Sequence, residues 1–220
     1  MTRLVRLDGG SVSLVPPEVV ESLQTGGMVI YPTDTLYGLG VDPAKQSGLA
    51  RLVAAKGREA GKPIPLLLDE PSRAVSLARH VPGNAFRLME RFWPGALTVV
   101  LPASPDLPKA ITGGSGTVGL RVPGHPVPRL LAAAAGGAIT GTSANRAGGA
   151  GTWRTAEEIV SEFAGEVDWV LWDGPGPPEE ATSSRPSPGS TVVYVEEAGV
   201  ILLREGAIPY RTITDFLAKG

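Results

Sequence analysis

Segments of helical and of strand character alternate along the chain, which predicts an α/β or α+β protein. Two further observations frame that fold. Of the 220 residues, 42% are hydrophobic and 19% charged, a composition that buries a real core and excludes a disordered chain. The 29 glycines and 21 prolines are scattered along the whole length, which marks a loop-rich fold rather than a low-complexity one. No stretch is poor enough in apolar residues to serve as a linker, so one domain over residues 1–220 is expected.

The elements follow in order. Pro16-Pro17 opens a helix carrying Val19, Val20 and Leu23, and Gly26-Gly27 stops it, the usual proline-first, glycine-last asymmetry. Residues 28–31 read as a short buried strand. Leu49, Leu52 and Val53 have helical spacing and lead toward Lys56, and residues 65–68 form another short apolar strand. Ala85, Phe86, Leu88, Met89, Phe92 and Trp93 make one apolar helix stripe, ended by Pro94-Gly95. Residues 97–101 and 117–122 are β-rich. A helix over about 127–135 precedes a strand ending near Thr140, and a further helix covers about 155–163. Strands at 169–172, 191–195 and 200–203 and a helix near 213–217 complete the chain. Residues 102–116 and 173–189 have no element pattern. Irregular stretches of that length are commonly functional, and the second can serve as a lid.

Composition removes several chemistries. Cysteine is absent, so disulfides, thiolate nucleophiles, zinc–thiolate sites and iron–sulfur clusters are excluded. With only His80 and His125, an imidazole metal site or a Ser/His/Asp triad has little to draw on. The formal charge of −2 gives no global field for nucleic acid, although a local basic cleft remains open. The longest apolar run, residues 130–139, is about half the roughly 20 residues of a membrane span. The N-terminal segment lacks a signal peptide's apolar region. A cytoplasmic protein without membrane contact is expected. No GxxxxGK[ST] loop or HExxH pair occurs, and the glycines of Gly114-Ser-Gly-Thr-Val-Gly119, although spaced as GxGxxG, lead into a β-rich segment and not a helix, so they make no dinucleotide fingerprint.

Five segments can carry chemistry, and each also has a plainer reading. Tyr31-Pro-Thr-Asp-Thr-Leu-Tyr-Gly-Leu-Gly40 is a strand running into a loop of hydroxyls, a carboxylate and glycines. It can present backbone N–H groups and hydroxyls to an anion, or its Thr and Asp can simply cap a turn. Lys56-Gly-Arg58, backed by Lys62-Pro63, places two cations where both can reach one polyphosphate; cations after a helix also complement its C-terminus. Thr140-Gly-Thr-Ser-Ala-Asn145 follows an apolar strand, where open α/β sheets build sites, but an Asx or Ser turn accounts for the same residues. Ser190 enters the strand of Gly189-Ser-Thr-Val192, and Arg204 ends an apolar strand, needing an anion or solvent. Thr117-Val-Gly-Leu-Arg121-Val-Pro-Gly-His125 can aim Arg121 into a cleft; His125, beside a proline, reads as structural.

Taken in this order, the segments resemble the YrdC-like family, the threonylcarbamoyl-AMP synthases. The residues that carry the resemblance are Pro32-Thr-Asp-Thr-Leu-Tyr-Gly-Leu-Gly40, Lys56-Gly-Arg58 with Lys62-Pro63, Trp93-Pro-Gly-Ala-Leu-Thr98 and Thr117-Val-Gly-Leu-Arg-Val-Pro123. Ser143-Ala-Asn145, Ser190-Thr-Val192 and Leu202-Leu-Arg-Glu-Gly206 complete them, over about residues 12–210.

The resemblance implies an open twisted mixed α/β sheet with flanking helices and a large concave, positively lined cavity. It implies that L-threonine, bicarbonate or CO2, and ATP give threonylcarbamoyl-AMP and pyrophosphate. That product would serve a tRNA threonylcarbamoyl transferase complex acting on the adenine 3′ of the anticodon. No protein nucleophile is needed, so positioning and charge stabilisation suffice.

It also implies residue roles. Lys56 and Arg58 would act on phosphate or carbamate charge. Thr33, Arg121, Thr140 and Ser190 would bind L-threonine. Arg58, Thr117, Thr142, Ser143, Asn145 and Arg204 would hold ATP. Mg²⁺ would enter with ATP, with no dedicated protein site. The chain departs from the family at Glu59, where proline is frequent, and at Pro65-Leu-Leu-Leu68, where some members carry a histidine. It departs again at Ser183-Ser-Arg-Pro-Ser-Pro188, in place of a short glycine-rich turn. A chain ending at Gly220 reads as the short form without the extra C-terminal domain. Two other functions fit the pattern: the carbamoyl-adenylate paralogue of hydrogenase maturation, normally in longer cysteine-bearing chains, and an RNA-binding module that holds double-stranded RNA by shape and phosphate contacts.

Overall fold

A computed structural model describes residues 1–7, 15–57, 61–145, 156–173 and 188–219. Arg58, Glu59 and most of the expected lid stretch, 174–187, lie outside the described residues.

The strands form two mixed sheets. The first has the spatial order β1 (Arg3–Arg6), β9 (Trp169–Trp172), β2 (Val29–Tyr31), β3 (Gly38–Gly40), β8 (Thr142–Ser143). The second runs β11 (Gly199–Arg204), β10 (Thr191–Glu196), β5 (Leu97–Pro102), β6 (Thr117–Arg121), β4 (Leu66–Leu68), β7 (Ala138–Thr140). In the first sheet two parallel pairs (β1 with β9, β9 with β2) are followed by two antiparallel ones, whereas in the second the parallel pairs (β10 with β5, β6 with β4) alternate with antiparallel ones. The expected mixed sheet is thus divided in two, and the chain passes between the halves at Gly141. β7 pairs with β4 of the second sheet, and two residues later β8 pairs with β3 of the first. A Cβ at Gly141 would lie 2.6 Å from Leu67 Cγ, so a larger residue at the crossing would have to displace the buried Leu67 side chain.

The helices are α1 (Pro17–Gln24), α2 (Gln46–Ala55), α3 (Ala74–Leu77), α4 (Gly83–Phe92), α5 (Lys109–Thr112), α6 (Pro126–Ala134), α7 (Ala156–Glu162) and α8 (Tyr210–Leu217). Two cores result from period-two alternation in the strands. Ile30, Leu66, Leu68, Val99 and Leu120 face the larger one, with Leu49 and Leu52 of α2 and Leu88 of α4. Val29, Tyr31 and Leu67 face a smaller one, with Val19 and Leu23 of α1 and Val127 and Leu131 of α6. Strand β4 is apolar throughout because both its faces are covered.

Four features differ from the sequence reading. β1 is an edge strand whose arginines escape the apolar pattern: Arg3 stacks over Trp169 and Arg6 pairs with Glu157 at 2.8 Å. β3, inside the expected loop, is mostly glycine and forms by pairing with β2 and β8. α5 lies within the stretch expected to be irregular; it is one turn long, below the reach of periodicity. Phe86 belongs to the apolar stripe read for α4, yet it is 51% exposed while Ala85, Leu88 and Met89 are buried.

Candidate active site

A cavity of about 380 Å³ opens where the two sheets meet. The first sheet contributes Thr33, Thr35 and Tyr37 from the loop between β2 and β3, with Thr142 and Ser143 of β8. The second contributes Leu67 of β4, Thr98 of β5, Thr117 and Arg121 of β6, Ser190 just before β10, and Leu203 and Arg204 at the end of β11. Residues far apart in sequence therefore converge because strands from both sheets end at one opening. Among the described wall residues the charged side chains are Arg121 and Arg204, set among Ser, Thr and Tyr hydroxyls. That lining suits an anionic, hydroxyl-rich ligand.

Arg121 is 5% exposed and tightly oriented. Its Nε donates to Gly95 O at 2.7 Å, Nη1 to Thr35 Oγ1 at 3.0 Å and Nη2 to Asp34 Oδ1. Burial lowers its pKa, and the Asp34 carboxylate opposes that shift. A guanidinium has five N–H groups, so these three bonds fix the plane and leave donors for a ligand. The turn that carries Asp34 is itself capped. Thr33 Oγ1 accepts from Thr35 N at 3.0 Å and donates to Leu36 O at 2.6 Å. Turn capping and a place in the cavity wall therefore coexist at Thr33.

The glycines of β3 pair with β2 and β8, and Gly38 also lines the cavity. They make room for Tyr31: a Cβ at Gly38 or Gly40 would lie 2.5 or 2.6 Å from its ring. Tyr31 is fully buried, donates to Thr140 O at 2.6 Å, and has its phenol pKa pushed far up by that burial.

Ser190 and Arg204 are brought together by the turn after β11. Thr191 Oγ1 accepts from Gly206 N at 3.0 Å and Ile208 N at 3.1 Å, and Ala207 N donates to Gly189 O at 2.9 Å. Gly206 lies so close that a Cβ there would meet Ser190 C at 2.4 Å. Arg204 Nη2 then reaches Ser190 O at 2.9 Å and Ser190 Oγ at 3.2 Å. Arg204 thus has a cavity position and a backbone anchor, not solvent alone.

Three expected site residues stand behind the wall rather than in it. Lys56 is 6% exposed at the end of α2. Its Nζ donates to Ser143 O at 2.9 Å, to Asn145 O, and to Asn145 Oδ1 at 3.3 Å. Asn145 Oδ1 also accepts from Ser143 Oγ. Thr140 is fully buried, with Oγ1 accepting from Val41 N at 2.9 Å. The wall therefore holds Thr33, Thr117, Arg121, Thr142, Ser143, Ser190 and Arg204, with Lys56, Thr140 and Asn145 supporting it from below.

The sequence reading passed over Asp34 and Thr98, although both lie inside motifs it used. It also missed a cluster at the cavity rim. Asp173 accepts from Tyr37 Oη at 2.5 Å and from His125 Nε2 at 2.9 Å, and Tyr37 stacks on Trp172. His125 Nδ1 accepts from Val127 N at 3.2 Å, capping α6. That assigns the Nε2 proton to the Asp173 bond. Burial raises the Asp173 pKa, but the bonds from His125 and Tyr37 outweigh it and hold the carboxyl below its ordinary value.

The fold and site define a mixed α/β protein with an arginine- and hydroxyl-lined cavity between two open sheets. Residues 21–206 match the Sua5–YciO–YrdC family profile, described as telomere recombination, and the chain belongs to that family. A threonylcarbamoyl-AMP synthase of Alkalilimnicola ehrlichii is 37% identical over 180 residues, covering 82% of this chain and 90% of that protein. One of Pyrococcus abyssi is 33% identical over 197 residues, covering 90% of this chain and 55% of that protein. Among solved structures, P. abyssi Sua5 complexed with L-threonine superposes with a TM-score of 0.81 at 27% identity, over 98% of this chain and 61% of that one. The chain thus spans little more than half the length of the Pyrococcus relative and most of the Alkalilimnicola one.

Proposed function

We propose that the chain is an L-threonylcarbamoyladenylate synthase, a nucleotidyltransferase. The observation that carries this reading is the cavity itself. It sets two oriented guanidinium groups and a ring of hydroxyls in a fold whose relative binds L-threonine.

The threonine carboxylate is assigned to Arg121 and Ser190, with Thr33 beside them. The threonine nitrogen attacks the carbon of CO2, an N–C bond forms, and loss of a proton from nitrogen leaves a carbamate. A carbamate oxygen then attacks the α-phosphate of ATP while the bond from that phosphorus to the leaving pyrophosphate breaks. Charge moves onto the pyrophosphate, so cations on the nucleotide side lower the barrier. Arg204, Thr117, Thr142 and Ser143 are assigned to the nucleotide. Arg58, outside the described residues, keeps the same role by family resemblance. Lys56, expected to act on phosphate charge directly, is reassigned to holding the 143–145 segment in place with Asn145. Thr140 is reassigned to fixing the β7–β3 junction.

Mg²⁺ is treated as part of the substrate MgATP. The described cavity wall offers guanidinium groups and hydroxyls without a carboxylate, and Asp34 is committed to Arg121. Such a set suits phosphate oxygens rather than a resident hard cation. Among the described residues no helix is long and apolar enough to cross a membrane. We place the reaction in the cytoplasm, supplying a tRNA threonylcarbamoyl transferase complex; direct RNA contact is not required by the chemistry. The test is mass spectrometry of the nucleotide product from ATP, L-threonine and ¹³C-bicarbonate. A labelled threonylcarbamoyl-AMP is expected, and an unlabelled adenylate or none would overturn the assignment.

A further inference from the structure

The parallel pairing of β10 with β5 sets Val192 opposite Thr98, which brings Thr98 beside Ser190. The two hydroxyl oxygens are 2.9 Å apart. Both residues line the cavity, and they are 5% and 7% exposed. Arg204 Nη2 lies 3.2 Å from Ser190 Oγ. A guanidinium only donates, so it occupies one lone pair of that oxygen.

Only one O–H can lie between two hydroxyl oxygens; the other is left over. Among the described residues neither hydroxyl has a further side-chain partner. If Ser190 donates, the spare proton sits on Thr98. If Thr98 donates, it sits on Ser190, whose oxygen then accepts from both Thr98 and Arg204. The pair therefore offers the cavity one O–H donor, placed by whichever hydroxyl meets an acceptor.

We infer that Thr98 is a positioning residue for substrate binding. With a carboxylate in the cavity it donates to Ser190 Oγ, completes the acceptor positions that Arg204 half fills, and commits the Ser190 O–H to the ligand. Thr98 acts through Ser190, without itself touching the carboxylate. This rests on the assignment of Ser190 to the threonine site made above.

The test is a double-mutant cycle read by calorimetric titration of L-threonine into wild type, Thr98→Val, Thr98→Ser, Ser190→Ala and the Thr98→Val/Ser190→Ala double variant. Valine keeps the shape of threonine and removes the hydroxyl. Loss of one neutral hydrogen bond corresponds to an affinity about three- to tenfold weaker for Thr98→Val, whereas Thr98→Ser stays near wild type. The decisive expectation is that the double variant binds no more weakly than Ser190→Ala, because the Thr98 effect disappears with its partner. Unchanged ATP affinity of Thr98→Val serves as the folding control, and Thr98→Ala replaces it if the valine variant does not fold. Additive penalties, or wild-type affinity in Thr98→Val, overturn the inference while leaving the proposed function standing. A wild-type protein that binds no L-threonine overturns both.

Discussion

Lys56 meets acceptors on Ser143 and Asn145, so its charge orders a segment instead of facing the cavity. Replacing it by methionine keeps the stem and strands those carbonyls. The expected cost is about 1–3 kcal/mol of stability, read as a lower denaturation midpoint, together with a raised KM for ATP and a smaller change for threonine. Asp173 gives a pH test. Its carboxyl is held below the ordinary value, so its stabilising contribution is fully present above about pH 4 and disappears as pH falls through its native value. The stability difference between wild type and Asp173→Asn should therefore shrink on acidification in urea titrations, and a difference that grew would contradict the assigned cluster. Residue identities at the site were legible through the ordered motifs. Their partners were not, because Lys56 and the residues that receive it are 87 and 89 positions apart.

Glycines act here as element-level devices. Gly206 sits against the Ser190 backbone, and Gly38 against the Tyr31 ring. A methyl at Gly206 meets main-chain atoms that cannot swing away, so Gly206→Ala should displace the turn carrying Arg204. ATP affinity is expected to fall at least tenfold alongside an overpacking loss of about 1–3 kcal/mol, measured by titration and by thermal melting. Long periodic elements such as α1, α4 and α6 were readable from spacing, since tertiary contacts only reinforce what the pattern states. β3 and β8 were not readable: three residues of Gly-Leu-Gly and two of Thr-Ser have no pattern of their own and become strands through pairing. The crossing at Gly141 has the same character. Gly141 stands in the sequence as one residue of a small polar run, with no sign that it joins two sheets.

At the scale of the whole molecule, a chain of formal charge −2 concentrates two guanidinium groups at the junction of its sheets, within a wall that bears no opposing carboxylate among the described residues. Under the proposed function, this local charge draws ATP although the global charge does not. Screening should therefore weaken ATP binding severalfold between about 0.05 and about 0.5 M salt, read by calorimetry, whereas an apolar-dominated site would be nearly insensitive. The α/β class was legible because strand and helix patterns alternate, but the division into two sheets depends on long-range pairing that no local pattern encodes. The central claim is that this cavity joins an amino acid, a one-carbon oxide and a nucleotide in one adenylate-forming step. Pyrophosphate release from MgATP, measured with L-threonine or bicarbonate omitted in turn, tests it most directly. Release that requires both, and that collapses in Arg121→Ala, is the result expected. Release indifferent to either co-substrate, or none from a folded protein that binds ATP, would contradict the account.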